Sequence, residues 1–211
     1  MGLIKPLDKI IDNKHKVAIL RRLVLYSSEV ATGRSLAREL GMNHATCNNA
    51  LTSLHRTGIV TRKTAGRSSI YEVARDSAVY EELLRPLFMK ETEMPEEAIC
   101  MLIKGLEVKS IRAFLFGSVA RGTDAPESDT DVMLIVDDGA DKEKVLDQMS
   151  ENIPEAYKRF RTSFNVVLMS ESELARKKKR KDSFVTTVLA EAVRVELGGK
   201  HGKKTADFQS R

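Results

Sequence analysis

Residues 113–136 read Ala-Phe-Leu-Phe-Gly117-Ser118-Val-Ala-Arg121-Gly, then a polar loop, then Ser128-Asp129-Thr-Asp131 and five apolar residues. A buried strand that runs into Gly-Ser at a helix start leaves unpaired backbone N–H groups beside the Ser118 hydroxyl, a combination suited to phosphate oxygens. Asp129 and Asp131 stand two apart, so on an extended backbone both carboxylates project to one side, toward that turn. Two carboxylates beside a triphosphate make a Mg2+ site, where the metal neutralises phosphate charge and orients an in-line attack. Gly117, Ser118, Asp129 and Asp131 therefore point to phosphate chemistry.

A second set of residues lies in the first half of the chain. Residues 1–90 carry 15 Lys and Arg against 8 Asp and Glu, a net of +7, while the remainder nets −2 with 20 basic and 22 acidic residues. Attraction for a polyanion thus belongs to the first half. There, Thr32 begins a short helix stopped by Gly41, and Asn43 caps a further helix over 44–57 that Gly58 ends. Residues 59–63 and 69–73 alternate as strands joined by a turn at 65–68, a β-hairpin.

The elements that must position these groups follow from periodicity. An apolar stripe over 17–25 predicts the first helix, ahead of the two just described. Residues 76–89 read as an amphipathic helix disturbed by Pro86, and 90–94 as a polar stretch closed by Pro95, where the domain boundary is expected. Pro95 then opens a helix to about 106. Strands are expected at 111–116, 131–136, 163–168 and 193–197, with helices at about 119–121, 142–152, 171–178 and 183–190 between them. The fold class is α+β in two domains, 1–90 and 95–200, with a frayed polar tail at 201–211.

The first half resembles the winged helix-turn-helix of bacterial and archaeal transcription regulators, over roughly residues 10–75. Leu36, Ala37, Leu40, Leu51 and Leu54 stand as its core, and Gly41 at its tight turn. The resemblance implies double-stranded DNA as partner. His44, Thr46, Asn48, Asn49 and Ser53 would face base edges, and Arg34, Arg56, Arg62, Lys63 and Arg67 would meet phosphates. The same fold also serves as a protein interaction or dimerisation module, and the helix at 76–89 is a candidate homodimer interface.

The second half, with its hydrophobic strand, Gly-Ser-x-Ala-Arg-Gly, Ser-Asp-x-Asp and second hydrophobic strand, resembles the minimal nucleotidyltransferases of the DNA polymerase β superfamily. The resemblance implies a nucleoside triphosphate held by Gly117 and Ser118, Mg2+ held by Asp129 and Asp131, and Arg121 either on the phosphates or in a structural ion pair. Active members carry a third carboxylate on a later strand, and the matching position here is Asn165. An amide is no general base and only a neutral metal ligand. The two readings are then an enzyme that transfers a nucleotidyl group to some acceptor, and a DNA-binding regulator whose second domain senses nucleotide or a protein partner. Asp137, Asp138, Glu171 and Glu173 are candidate replacements for the third carboxylate. The basic run 176–181 is a solvated helix face or a phosphate contact.

Composition narrows the rest. The chain of 211 residues is 42% hydrophobic and 31% charged, as expected of a soluble globular protein. It has no apolar run of membrane-spanning length and no signal-like start, so the expectation is a cytoplasmic protein without a membrane partner. Its two cysteines, Cys47 and Cys100, lack metal-ligand spacing.

Overall fold

Side-chain caps mark where the first helices begin. Asn13 accepts the backbone N–H groups of His15 and Lys16 to start α1 (Lys14–Leu25), and Asn43 accepts from Ala45 to start α3 (His44–Thr57). Between them, Thr32 and Ser35 close a reciprocal capping box on α2 (Gly33–Glu39). Gly58, at φ 81°, ends α3 in the left-handed conformation that glycine adopts without steric cost. The chain then forms a hairpin of β1 (Val60–Ala65) and β2 (Ser68–Val73), paired from Val60↔Val73 to Ala65↔Ser68. Ile19, Leu20, Leu36, Leu51, Leu54 and Ile59 are fully buried between these elements. Three helices and a two-stranded wing are the architecture expected for the first half. The computed structural model describes residues 4–197 apart from 27, 67, 124 and 126. The expected tail at 201–211 lies outside the described residues.

The gap in helix expected at 90–94 is corrected to continuous helix. Residues 79–84 form a π-helical turn that continues directly into α4 (Arg85–Leu102), with Pro95 inside the helix. Pro86 has no N–H to give, and the turn before it closes with a wider ring, Arg85 N–H to the Tyr80 carbonyl. Pro95 removes one further helical bond, and burial of Ile99 and Leu102 holds the turns that follow. The chain divides into two compact units between Thr92 and Glu93, inside α4.

The second unit is built on a four-stranded sheet in the order β5-β4-β3-β6. Strands β3 (Ile111–Phe116) and β4 (Thr130–Val136) are antiparallel, β5 (Phe164–Ser170) runs parallel to β4, and β6 (Val193–Val195) runs antiparallel to β3. The five apolar residues of β4 are all buried because the sheet is covered on both faces. Val132 and Leu134 pack with Ile99, Leu102 and the helix α6 (Lys142–Phe160). Met133 and Ile135 pack with α7 (Glu171–Lys179) and α8 (Ser183–Glu191). Helix α6 runs eight residues past the expected end at about 152, because Ile153 and Ala156 join the apolar layer and Pro154 is accommodated. The short α5 (Gly117–Arg121) follows β3 directly. Among the described residues no helix is long and apolar enough to cross a membrane.

Candidate functional site

One end of this sheet gathers the motif residues. Phe116 stands opposite Asp131 across the β3–β4 pair, and Asp131 stands opposite Asn165 across the β4–β5 pair. Gly117 therefore turns out of β3 directly beside Asp131, at φ 72°. A β-carbon on Gly117 would overlap the Asp131 carboxylate, so both the backbone conformation and the space select glycine here. The Asn165 amide donates to Asp131 Oδ1 at 2.9 Å, which leaves the second carboxylate oxygen facing the glycine turn. Asp129, one residue ahead of β4, is exposed and makes no hydrogen bond or ion pair with the described residues. The Ser118 hydroxyl likewise has no partner among them.

The other side of the turn holds a residue that sequence reasoning missed. Glu191, the last residue of α8, accepts the Gly117 backbone N–H at 3.3 Å through Oε1 and the Arg121 guanidinium at 2.7 Å through Oε2. Arg121 is therefore in an ion pair, the structural alternative left open for it. Its donated hydrogen bond, helped by the Gly117 N–H, holds the Glu191 carboxyl below the usual carboxylate range. Nothing in the local sequence marks Glu191, because its place depends on β6 pairing with β3.

None of the four candidate replacements for a third carboxylate reaches this end. Asp137 accepts the backbone N–H groups of Lys109 and Ser110, and Asp138 accepts that of Ser172 at 2.8 Å. Glu171 pairs with Arg112, and Glu173 pairs with Lys142 while closing a capping box with Ser170. All four lie where β4 and β5 finish, about five strand residues or roughly 16 Å from Asp131. They belong to the framework. Among the described residues no group of three or more His, Cys, Asp or Glu side chains could hold a metal ion, and the motif itself offers the two carboxylates of Asp129 and Asp131. That donor set fits Mg2+, which keeps waters and fills its shell with substrate phosphates.

In the first unit, α3 presents His44 and Asn49 exposed and Thr46 half-buried. Asn48 is partly committed to structure: its amide nitrogen lies 3.4 Å from the His44 ring, and its oxygen packs against Gly33 of α2, where a β-carbon would displace it. Arg34 and Arg56 are exposed with no acidic partner among the described residues. On the wing, Arg62 donates to Ser69 and Lys63 pairs with Glu72, both in exposed positions where such pairs are weak and readily exchanged. Arg67 lies outside the described residues. In the basic run, Lys177 pairs with Asp182 at 3.5 Å, and Arg176 and residues 178–181 are exposed.

Residues 101–186 match the family model described as polymerase beta, nucleotidyltransferase. No curated protein matches the chain. Among solved structures, HlyU from Vibrio cholerae N16961 in its reduced form is 19% identical with a TM-score of 0.35, covering 40% of this chain and 84% of its own. The homodimeric winged helix-turn-helix DNA-binding domain Mb0332 from Mycobacterium bovis, a possible ArsR-family transcriptional regulator, is 21% identical with a TM-score of 0.34, covering 46% of this chain and 82% of its own. The adhesin competence repressor AdcR from Streptococcus pyogenes is 16% identical with a TM-score of 0.35, covering 51% of this chain and 85% of its own.

Proposed function

We propose, from the premise that residues 101–186 form a polymerase β nucleotidyltransferase domain, that this is a cytoplasmic DNA-binding protein that binds a Mg2+-nucleoside triphosphate and transfers a nucleotidyl group to an acceptor. The observation that carries the reading is the Gly117 turn set against Asp131, with the Ser118 hydroxyl and Asp129 unengaged among the described residues. Backbone N–H groups of the turn and the Ser118 hydroxyl hold phosphate oxygens, while Asp129 and Asp131 hold the cation. The cation, when bound, neutralises charge on the phosphates. Asn165 keeps the Asp131 carboxylate in one orientation but takes no proton from an attacking hydroxyl.

That last feature favours a second reading, a regulator that senses nucleotide without turning it over. The Asn165 amide sits on Asp131 Oδ1, so one oxygen that a third acid would leave to a cation is already engaged. Calorimetric titration with each nucleoside triphosphate and Mg2+, beside an Asp129→Ala, Asp131→Ala double variant, followed by pyrophosphate release, separates the two. Binding lost in the variant together with release supports the transferase. Binding without release supports the sensor, and absence of binding removes both.

For the first unit, His44, Thr46 and Asn49 of α3 read base edges of double-stranded DNA, Asn48 contributing from its packed position. Arg34, Arg56, Arg62, Lys63 and Arg67 meet phosphates. The exposed Leu83 and Leu87, 41% and 44% accessible and one helical turn apart, offer the apolar contact of a homodimer. DNA affinity should fall steeply with salt, and neutralising Arg62, Lys63 and Arg67 together should flatten the log–log slope by about 2–3. A slope unmoved by the triple substitution removes the wing from the interface. A monomer by light scattering removes the dimer.

A further inference from the structure

Glu191 engages two donors at the glycine turn. Its Oε1 takes the Gly117 N–H, the first amide of the glycine turn, and its Oε2 takes the Arg121 guanidinium one helical turn further on. The placement is built by the sheet. Leu115 of β3 pairs with Val193 of β6, so the end of α8, two residues before Val193, is brought to the start of α5, two residues after Leu115. The neighbouring Phe116 ring meets Phe184 of α8 edge-on at 5.8 Å, which fixes the helix that ends in Glu191 to the same strand. The Glu191 side chain is only 24% exposed, against 49% for the Arg121 side chain it holds.

We propose that Glu191 is an internal anion that competes with phosphate for Gly117 and Arg121, and so sets the affinity of the nucleotide site. The inference rests on the reading of this end of the sheet as a triphosphate site. A carboxylate and a phosphate oxygen both accept hydrogen bonds and both carry negative charge, so the Gly117 amide and the Arg121 fork serve one or the other. Phosphate entry requires the Glu191 head group to swing away, and it must then stay clear of the incoming negative charge. Glu191 thereby lowers the affinity of the site, and its release couples occupancy to the end of α8 and to β6.

The test is calorimetric titration of the full chain with Mg2+-ATP, Mg2+-CTP, Mg2+-GTP, Mg2+-UTP and inorganic tripolyphosphate. Wild type, Glu191→Gln, Glu191→Asp and the double variant Glu191→Gln, Arg121→Gln are compared, with thermal melting confirming that each folds. Glutamine keeps the shape without the charge, and aspartate keeps the charge but is one methylene too short to hold both donors. Affinity for tripolyphosphate and for the bound nucleotide is expected to rise roughly three- to tenfold in both single variants, and the gain is lost when Arg121 is also replaced. Unchanged or weaker binding in the single variants, with wild type still binding nucleotide, overturns the proposal and makes Glu191 a positioning partner of Arg121. No binding by any of the proteins overturns the triphosphate site itself, and the competition with it.

Discussion

The two ends of the four-stranded sheet are both rich in carboxylates, and they treat them differently. Where β4 and β5 finish, Asp137, Asp138, Glu171 and Glu173 each have a matched donor: backbone N–H groups, Arg112 or Lys142. Where the same strands begin, Asp129 has no partner among the described residues, Asp131 has a single amide, and Glu191 accepts the Gly117 N–H and the Arg121 guanidinium. Acids that hold a fold together are found with their hydrogen bonds complete. The under-partnered Asp129 and Asp131 at the glycine turn are the acids that the proposed site draws on.

The largest effect that tests this contrast is expected from Gly117→Ala. The added β-carbon would overlap the Asp131 carboxylate, and the left-handed backbone costs an alanine roughly 1 kcal/mol besides. Asp131 must then leave its place beside the turn, and nucleotide affinity should fall at least about a hundredfold while stability drops by about 1–2 kcal/mol. Calorimetry and urea denaturation measure the two quantities. Equal losses of nucleotide binding from a comparable destabilisation at the far end would erase the distinction between the ends.

Asn165→Asp sharpens the contrast from the other direction. It sets a second carboxylate within hydrogen-bond distance of Asp131, so in the absence of a cation the two like charges repel. Without metal the variant should melt about 2–4 °C lower than wild type, and Mg2+ should restore the loss. Mg2+ affinity should improve roughly tenfold, and pyrophosphate release should appear or increase if the missing acid is what limits transfer. A variant whose melting point ignores Mg2+ would place the cation elsewhere.

The legibility of the molecule follows the same division. The approach of Gly117 to Asp131 is legible because the motif is local: Gly117, Ser118, Asp129 and Asp131 lie within fifteen positions of one another. Helix starts at Thr32 and Asn43 were readable for the same reason, since a cap and the amides it satisfies are two or three residues apart. Glu191 was not readable, because it reaches Gly117 across 74 residues through a pairing of β6 with β3 that no local pattern encodes. The continuous helix through Pro95 was also hidden. Proline is a strong local signal for a break, and the burial of Ile99 and Leu102 that outweighs it is a tertiary fact.

The smallest effect expected is at the far end, where Glu173→Ala should cost stability and leave nucleotide binding untouched. Glu173 accepts the Ser170 N–H in the box that starts α7, and accepts from Lys142 at 2.7 Å. Losing the box should cost about 1 kcal/mol at neutral pH. The Lys142 ammonium, then the Ser170 N–H, hold the Glu173 carboxyl below its usual range, and Asp138 is held low chiefly by the Ser172 N–H. A carboxyl whose folded pKa is depressed adds stability that is full above its unfolded pKa, about 4.3 for Glu, and fades as pH falls through the folded value. The gap between wild type and Glu173→Ala should therefore be widest at neutral pH and shrink below about pH 4 as the wild-type carboxyl takes up its proton. Denaturant midpoints measured from pH 7 to pH 2 would show this convergence, and a gap that stayed constant with pH would mean that packing of the Glu173 stem, not its charge, secures the start of α7.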